Sequence, residues 1–284
     1  MKKAFFYLTL ASLTFSTLGL KAQDIVKIPL APSTIKIDGK LLEFGDTLAN
    51  YDKSTKINYA FAHDDKNLYV FVKINGQTEQ NKMMAGGLSV AINDKGKKKA
   101  VSSITFPVVD RTAMMAAMKS RGTRNRESTV QKTPEERAKE KQAMREEMLL
   151  GLKEIKIKDL KDISVESISI YNTYGIKTGI SYNANNALIY EMAVPLKLVG
   201  LDAKSTDEFA INMKLNGMQM PDNGAGDNGY GGRERLGDGG FGGGREIGGG
   251  GRSYGGGGAG RQREGLDYSS LFTPTDFWVK ARLN

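Results

Sequence analysis

Apolar and polar residues alternate with a period of two along much of this chain, the mark of strands that bury one face. Ile57, Tyr59 and Phe61 alternate with Asn58, Ala60 and Ala62. Leu68, Val70, Val72 and Ile74 share one face of the next run, and its other face carries Tyr69 and Phe71. That strand reads as central and buried on both sides. Leu88, Val90 and Ile92 mark another strand, and Val101 to Val108 a further one. Later, Ile176, Thr178, Ile180 and Tyr182 alternate with polar residues. In the following run Leu188, Tyr190, Met192 and Val194 face inward and Glu191 outward, until Pro195 ends the ladder for want of an amide. Phe209, Ile211, Met213 and Leu215 alternate in turn, and Phe277, Val279, Ala281 and Leu283 read as one face of a last strand.

Short polar clusters punctuate these runs. Asp38-Gly39 follows Ile35 and Ile37, themselves alternating as in a strand. Asp64-Asp65-Lys66-Asn67, Asn93-Asp94-Lys95-Gly96 and Asn183-Ala184-Asn185-Asn186 carry the side chains that bond their own backbone in turns. Strands joined by such turns, with no helix between them, predict an antiparallel β-sandwich.

Two stretches break the pattern. Residues 111–160 read as a helical insertion. Within them Thr133-Pro134-Glu135-Glu136 forms a capping box with proline at the first helical position, and Gly151 is the expected stop. Met144, Met148 and Leu152 fall near the end, so only the last turns are expected to pack, the rest being solvated. Residues 223–265 hold 21 of the chain's 34 glycines, with scattered arginines. Such a composition cannot bury enough apolar surface to offset ordering, which predicts a disordered Gly-rich loop inside the domain.

The N-terminus predicts a signal peptide over 1–22. Lys2 and Lys3 precede an uncharged apolar stretch from Ala4 to Leu20, and Leu20-Lys21-Ala22 fits a cleavage site. The expected mature chain, 23–284, is one exported domain, periplasmic or extracellular, without a transmembrane segment after cleavage.

Composition narrows the chemistry. One histidine and no cysteine leave His63 alone to serve a nucleophilic triad and exclude a Cys/His zinc site within one chain. A carboxylate pair flanking a bond is not placed by the sequence, and the expectation is a protein without catalytic residues. The net charge of +9 suits anionic surfaces or glycans. The Gly/Arg tract is similar to segments that bind single-stranded nucleic acid. Export, with Glu234, Asp238, Glu246 and Glu264 diluting its charge, argues against a nucleic-acid partner.

Read together, several pieces resemble family nine carbohydrate-binding modules and their DOMON-like relatives. They are Ile37-Asp38-Gly39 with Phe44-Gly45, Asp64 to Val70, Gly87 to Val90, Asn93 to Gly96, Leu188 to Leu196, and Phe277 to Lys280. The resemblance implies a sandwich that binds sugars, often through stacked tryptophans, sometimes with structural calcium. Phe44 stands where the family commonly has tryptophan, so Trp278, the only one in the chain, cannot form a two-tryptophan clamp.

Period-two alternation places Trp278 with Lys280 and Arg282, away from Phe277, Val279 and Ala281. These three are the candidate ligand contacts: a stacking platform beside two cations. For calcium, Asp64, Asp65, Asp94 and Glu191 are the carboxylates to test, though their spacing matches no calcium loop. Some DOMON-like relatives resemble haem binders that use His and Met; His63 is the one histidine here, and its place reads as a strand end. The expected partner is a polysaccharide or cell-envelope component. The alternative is an envelope scaffold that makes contacts through the helical insertion and the Gly-rich loop.

Overall fold

A computed structural model describes residues 25–32, 35–43, 48–109, 133–218 and 268–284. The Gly-rich stretch 223–265, Phe44-Gly45 and the signal segment lie outside the described residues. Among the described residues twelve strands form two sheets. They are β1 (Val26–Ile28), β2 (Asn50–Asp52), β3 (Ile57–His63), β4 (Asn67–Ile74), β5 (Leu88–Asn93) and β6 (Ser102–Phe106). After these come β7 (Glu154–Lys158), β8 (Ser167–Ser169), β9 (Lys177–Tyr182), β10 (Leu188–Pro195), β11 (Phe209–Leu215) and β12 (Thr275–Leu283). Among the described residues the α-helices are α1 (Gln77–Gly86), α2 (Pro134–Leu150) and the single-turn α3 (Tyr268–Phe272).

The larger sheet runs β1-β12-β11-β5-β6-β7-β8 and the smaller β2-β3-β4-β10-β9. All pairs are antiparallel except β1 with β12, where Val26 lies beside Ala281. The inward faces of both sheets share one core. Val70 and Val72 of β4 and Tyr190 and Met192 of β10 meet Val90 and Ile92 of β5 and Ile211 and Met213 of β11. The fold is therefore the mostly antiparallel sandwich that the alternation predicts.

The doubly apolar β4 sits in the middle of the smaller sheet, and its second face is buried as expected. Tyr69 and Phe71 join Ala60, Ala62, Ile189 and Ala193 in a second cluster on the outer side, with Leu41 and Leu48 laid over them. The residues around Ile35 and Ile37 are therefore a strap across this face, not a strand.

Helix α2 spans the bounds set by its capping box. The Thr133 hydroxyl accepts from the Glu136 amide, and the Glu136 carboxylate accepts from the Thr133 amide. Of the three residues expected to pack near its end, Leu152 enters the core, whereas Met144 and Met148 face solvent. Leu149 reaches the core, and Arg145 lies 4.4 Å over the Tyr182 ring while donating to Asn186. The helix-bearing stretch also ends earlier than 160, because β7 over 154–158 joins the larger sheet. Helix α1, between β4 and β5, is a further difference from strands joined by turns alone. Among the described residues no helix is long and apolar enough to cross a membrane.

Candidate functional site

The last strand presents Trp278, Lys280 and Arg282 as the alternation requires. Val279, Ala281 and Leu283 enter the core, and the three candidates emerge on the outer face of the larger sheet. All three are half-buried, so Trp278 is a partly seated ring and not a fully exposed one.

Cross-strand register shows what surrounds them, since directly opposed residues share a face. Trp278 faces Asn212, which continues to Ala91, Ser103 and Lys158. One row along, Asp276 faces Lys214, followed by Ser89, Thr105, Lys156 and Ser167. Lys280 faces Ala210, and Arg282 lies beside Lys27 of β1. Ala91, Ala210 and Asn212 are buried, so the accessible part of this face consists of the longer side chains around a low floor. Asn212 is spoken for: its amide nitrogen donates to Asp276 at 2.7 Å and to the Phe277 carbonyl at 2.9 Å.

The sequence could not have gathered Lys27, Lys156, Lys158 and Lys214 with Trp278, because the register that joins them crosses five other strands. Its only signal is that each stands at a polar position of an alternating run.

The four carboxylates considered for calcium are not assembled. Among the described residues no three carboxylate or imidazole groups converge on one point. Asp64 closes its turn by accepting from the amides of Lys66 and Asn67 and from the Tyr69 hydroxyl at 2.6 Å. Burial works to raise its pKa, but these hydrogen bonds outweigh it and hold the carboxyl below the usual value. Tyr69 answers with a pKa raised to about 12, through burial and the Asp64 carboxylate. Asp65 is exposed in the same turn, and Asp94 sits half-buried after β5.

Glu191 takes its expected outward direction. It points away from the core, yet it is fully buried beneath the strap. One carboxylate oxygen accepts from the amides of Asp38 and Gly39, at 2.8 and 2.7 Å, and the other accepts from Leu41 at 2.8 Å. Burial raises its pKa, and the three amides partly offset that. Gly39, at φ +80°, and Gly179 let the strap lie this close. A Cβ on Gly179 would stand 2.7 Å from the Gly39 nitrogen. Ser181 completes the seat by donating to the Gly39 carbonyl.

His63 is a buried strand-end residue. Its Nε2 accepts from the Asn284 amide at 3.3 Å, and its Nδ1 lies 3.3 Å from the Asp64 carbonyl. These contacts fit the Nδ1–H tautomer and leave neither nitrogen turned toward a haem iron.

A cleft of about 1000 Å³ separates α2 from the β9–β10 turn, lined among others by Gln142, Arg145, Tyr182 and Asn186. It is broad and open, and the Arg145 contacts that bridge it explain it as the seat of the helix.

No family model, curated protein or solved structure gives a significant match to this chain.

Proposed function

We propose that this protein is a non-catalytic, extracytoplasmic binding module for carbohydrate, and that the outer face of the larger sheet is its binding surface. One observation carries the reading. The chain's only tryptophan stands on that face with Lys280 and Arg282 at alternate positions of the same strand. An aromatic face stacks on the apolar side of a sugar ring, and neighbouring cations reach its oxygens. The resemblance to family nine modules supports the reading. Two of the segments that carry it, Ile37-Asp38-Gly39 and Leu188 to Leu196, are joined here through Glu191.

The test is retention of the purified protein on soluble and insoluble polysaccharides, with and without calcium. Retention by at least one sugar class is expected, and Trp278→Ala should reduce it at least about tenfold, the equivalent of one good aromatic contact. Unchanged retention in that variant removes the site.

The scaffold reading has its own observation. Helix α2 is exposed along nearly all its length and offers Met144, Met148 and Leu150 to solvent. Exchanging the three for polar residues and scoring co-purifying envelope proteins tests it. An unchanged set counts against it.

A further inference from the structure

Resting on that reading, we propose that the ligand of the larger sheet's outer face is an anionic polysaccharide, one bearing carboxylate or sulfate groups, laid across the strands. Six cations share the face: Lys27, Lys156, Lys158, Lys214, Lys280 and Arg282. Among the described residues that strand pairing places on this face, the carboxylates are Asp276 and Glu154. Both acids already serve as acceptors, Asp276 for Asn212 and Glu154 for the Ser167 hydroxyl. The two ion pairs found among the described residues, Lys40–Asp38 and Lys56–Glu79, lie elsewhere. None of the six is in an ion pair with a described carboxylate, and a cluster of one sign favours an anion.

Their placement fits a chain and not a point ligand. Lys158 ends the cross-strand row that begins at Trp278, and Lys156 stands next to last, before Ser167, in the row that begins at Asp276. Four strand spacings separate β12 from β7, roughly 19 Å. Charge thus stands at both ends of the row, with the aromatic ring at one end and small side chains between. A monosaccharide touches one end only, whereas a polymer with regularly spaced acidic groups reaches both. Nucleic acid is the poorer fit, because successive bases need successive rings to stack on and the row offers only Trp278.

The experiment compares the full chain with the double variant Lys156→Glu/Lys158→Glu and with Trp278→Ala. The probes are a polyuronate, a sulfated glycan, neutral glucans, single-stranded DNA and vesicles of anionic phospholipid. Thermal melting checks that each variant folds; Lys156 and Lys158 are exposed, so their exchange leaves the fold intact. The expected result is retention on at least one anionic glycan that falls at least about tenfold in the double variant. That retention should also weaken as salt rises past the range where the screening length drops below about 10 Å. Trp278-dependent retention on neutral glucans alone overturns the anionic ligand and leaves the carbohydrate reading standing. Equal binding to DNA, vesicles and glycans overturns it as unspecific polyanion attraction. Binding to no glycan overturns both.

Discussion

The two outer faces of this sandwich are built from the same alternation and end in opposite states. On the smaller sheet the outward residues are Tyr69, Phe71, Ile189 and Ala193, and the strap residues Ile35, Ile37 and Leu41, with Leu48, cover them. On the larger sheet the outward residues are mostly lysines and hydroxyl side chains, and much of that face meets solvent. The difference teaches that the polar half of an alternating strand has no single meaning. Where it is apolar enough to need cover, the chain supplies cover and fastens it with one buried carboxylate. Where it is charged and small, the face is left to water and to whatever the charges attract.

The largest expected effect breaks the sealed face. Glu191→Ala leaves three strap amides without an acceptor beneath a covered surface. It should cost about 3–5 kcal/mol in chemical denaturation, with hydrogen exchange over 35–43 rising most. Glu191→Gln restores little, because its amide nitrogen confronts amide donors. Gly179→Ala comes next. Its methyl group has to displace the Gly39 backbone, at a cost of about 1–3 kcal/mol. Neither change should alter retention on a glycan, which separates the two faces.

Acid offers a milder probe. The Asp64 pKa is lower in the folded state than its ordinary 3.8. Its contribution to stability is therefore present at neutral pH and is lost as pH falls through the folded value. A denaturation series descending through this range should steepen in the native protein, and Asp64→Asn should flatten it. The smallest effect belongs to the open face. Lys156→Glu/Lys158→Glu should move stability by no more than about 0.5 kcal/mol per site in the same denaturation assay. A larger loss means that the lysines hold the sheet together and are not merely displayed on it.

Much of the fold was legible in the residues because its signals are local. The alternation of β3, β4, β10, β11 and β12, the turns at Asp64 and Asn183, and the capping box at Thr133 each lie within a few residues. What escaped depends on distance. Nothing near Glu191 shows that residues 38–41 will close over it, so only its outward direction is legible. Helix α1 escaped for another reason. Gln80 and Lys82 are buried there by hydrogen bonds to Asn186 and Thr275, so the helix shows no apolar stripe. The proposed binding face was half legible. Trp278, Lys280 and Arg282 come from one strand, while the lysines that accompany them come from three others.

The parallel pairing of β1 with β12 carries a consequence for the order of assembly. Val26 finds its place only beside Ala281, nearly the whole chain away, and the residues just after β1 are clasped by the backbone of His63, whose ring holds the amide of Asn284. Contacts of such sequence separation are slow to form because the intervening chain must first be ordered or looped. The smaller sheet's β2-β3-β4 meander can form early from neighbours in sequence. The first strand of the larger sheet has to wait for the last. A chain that has not yet produced 275–283 holds its β1 segment unpaired, and the larger sheet is completed by joining two strands far apart in sequence.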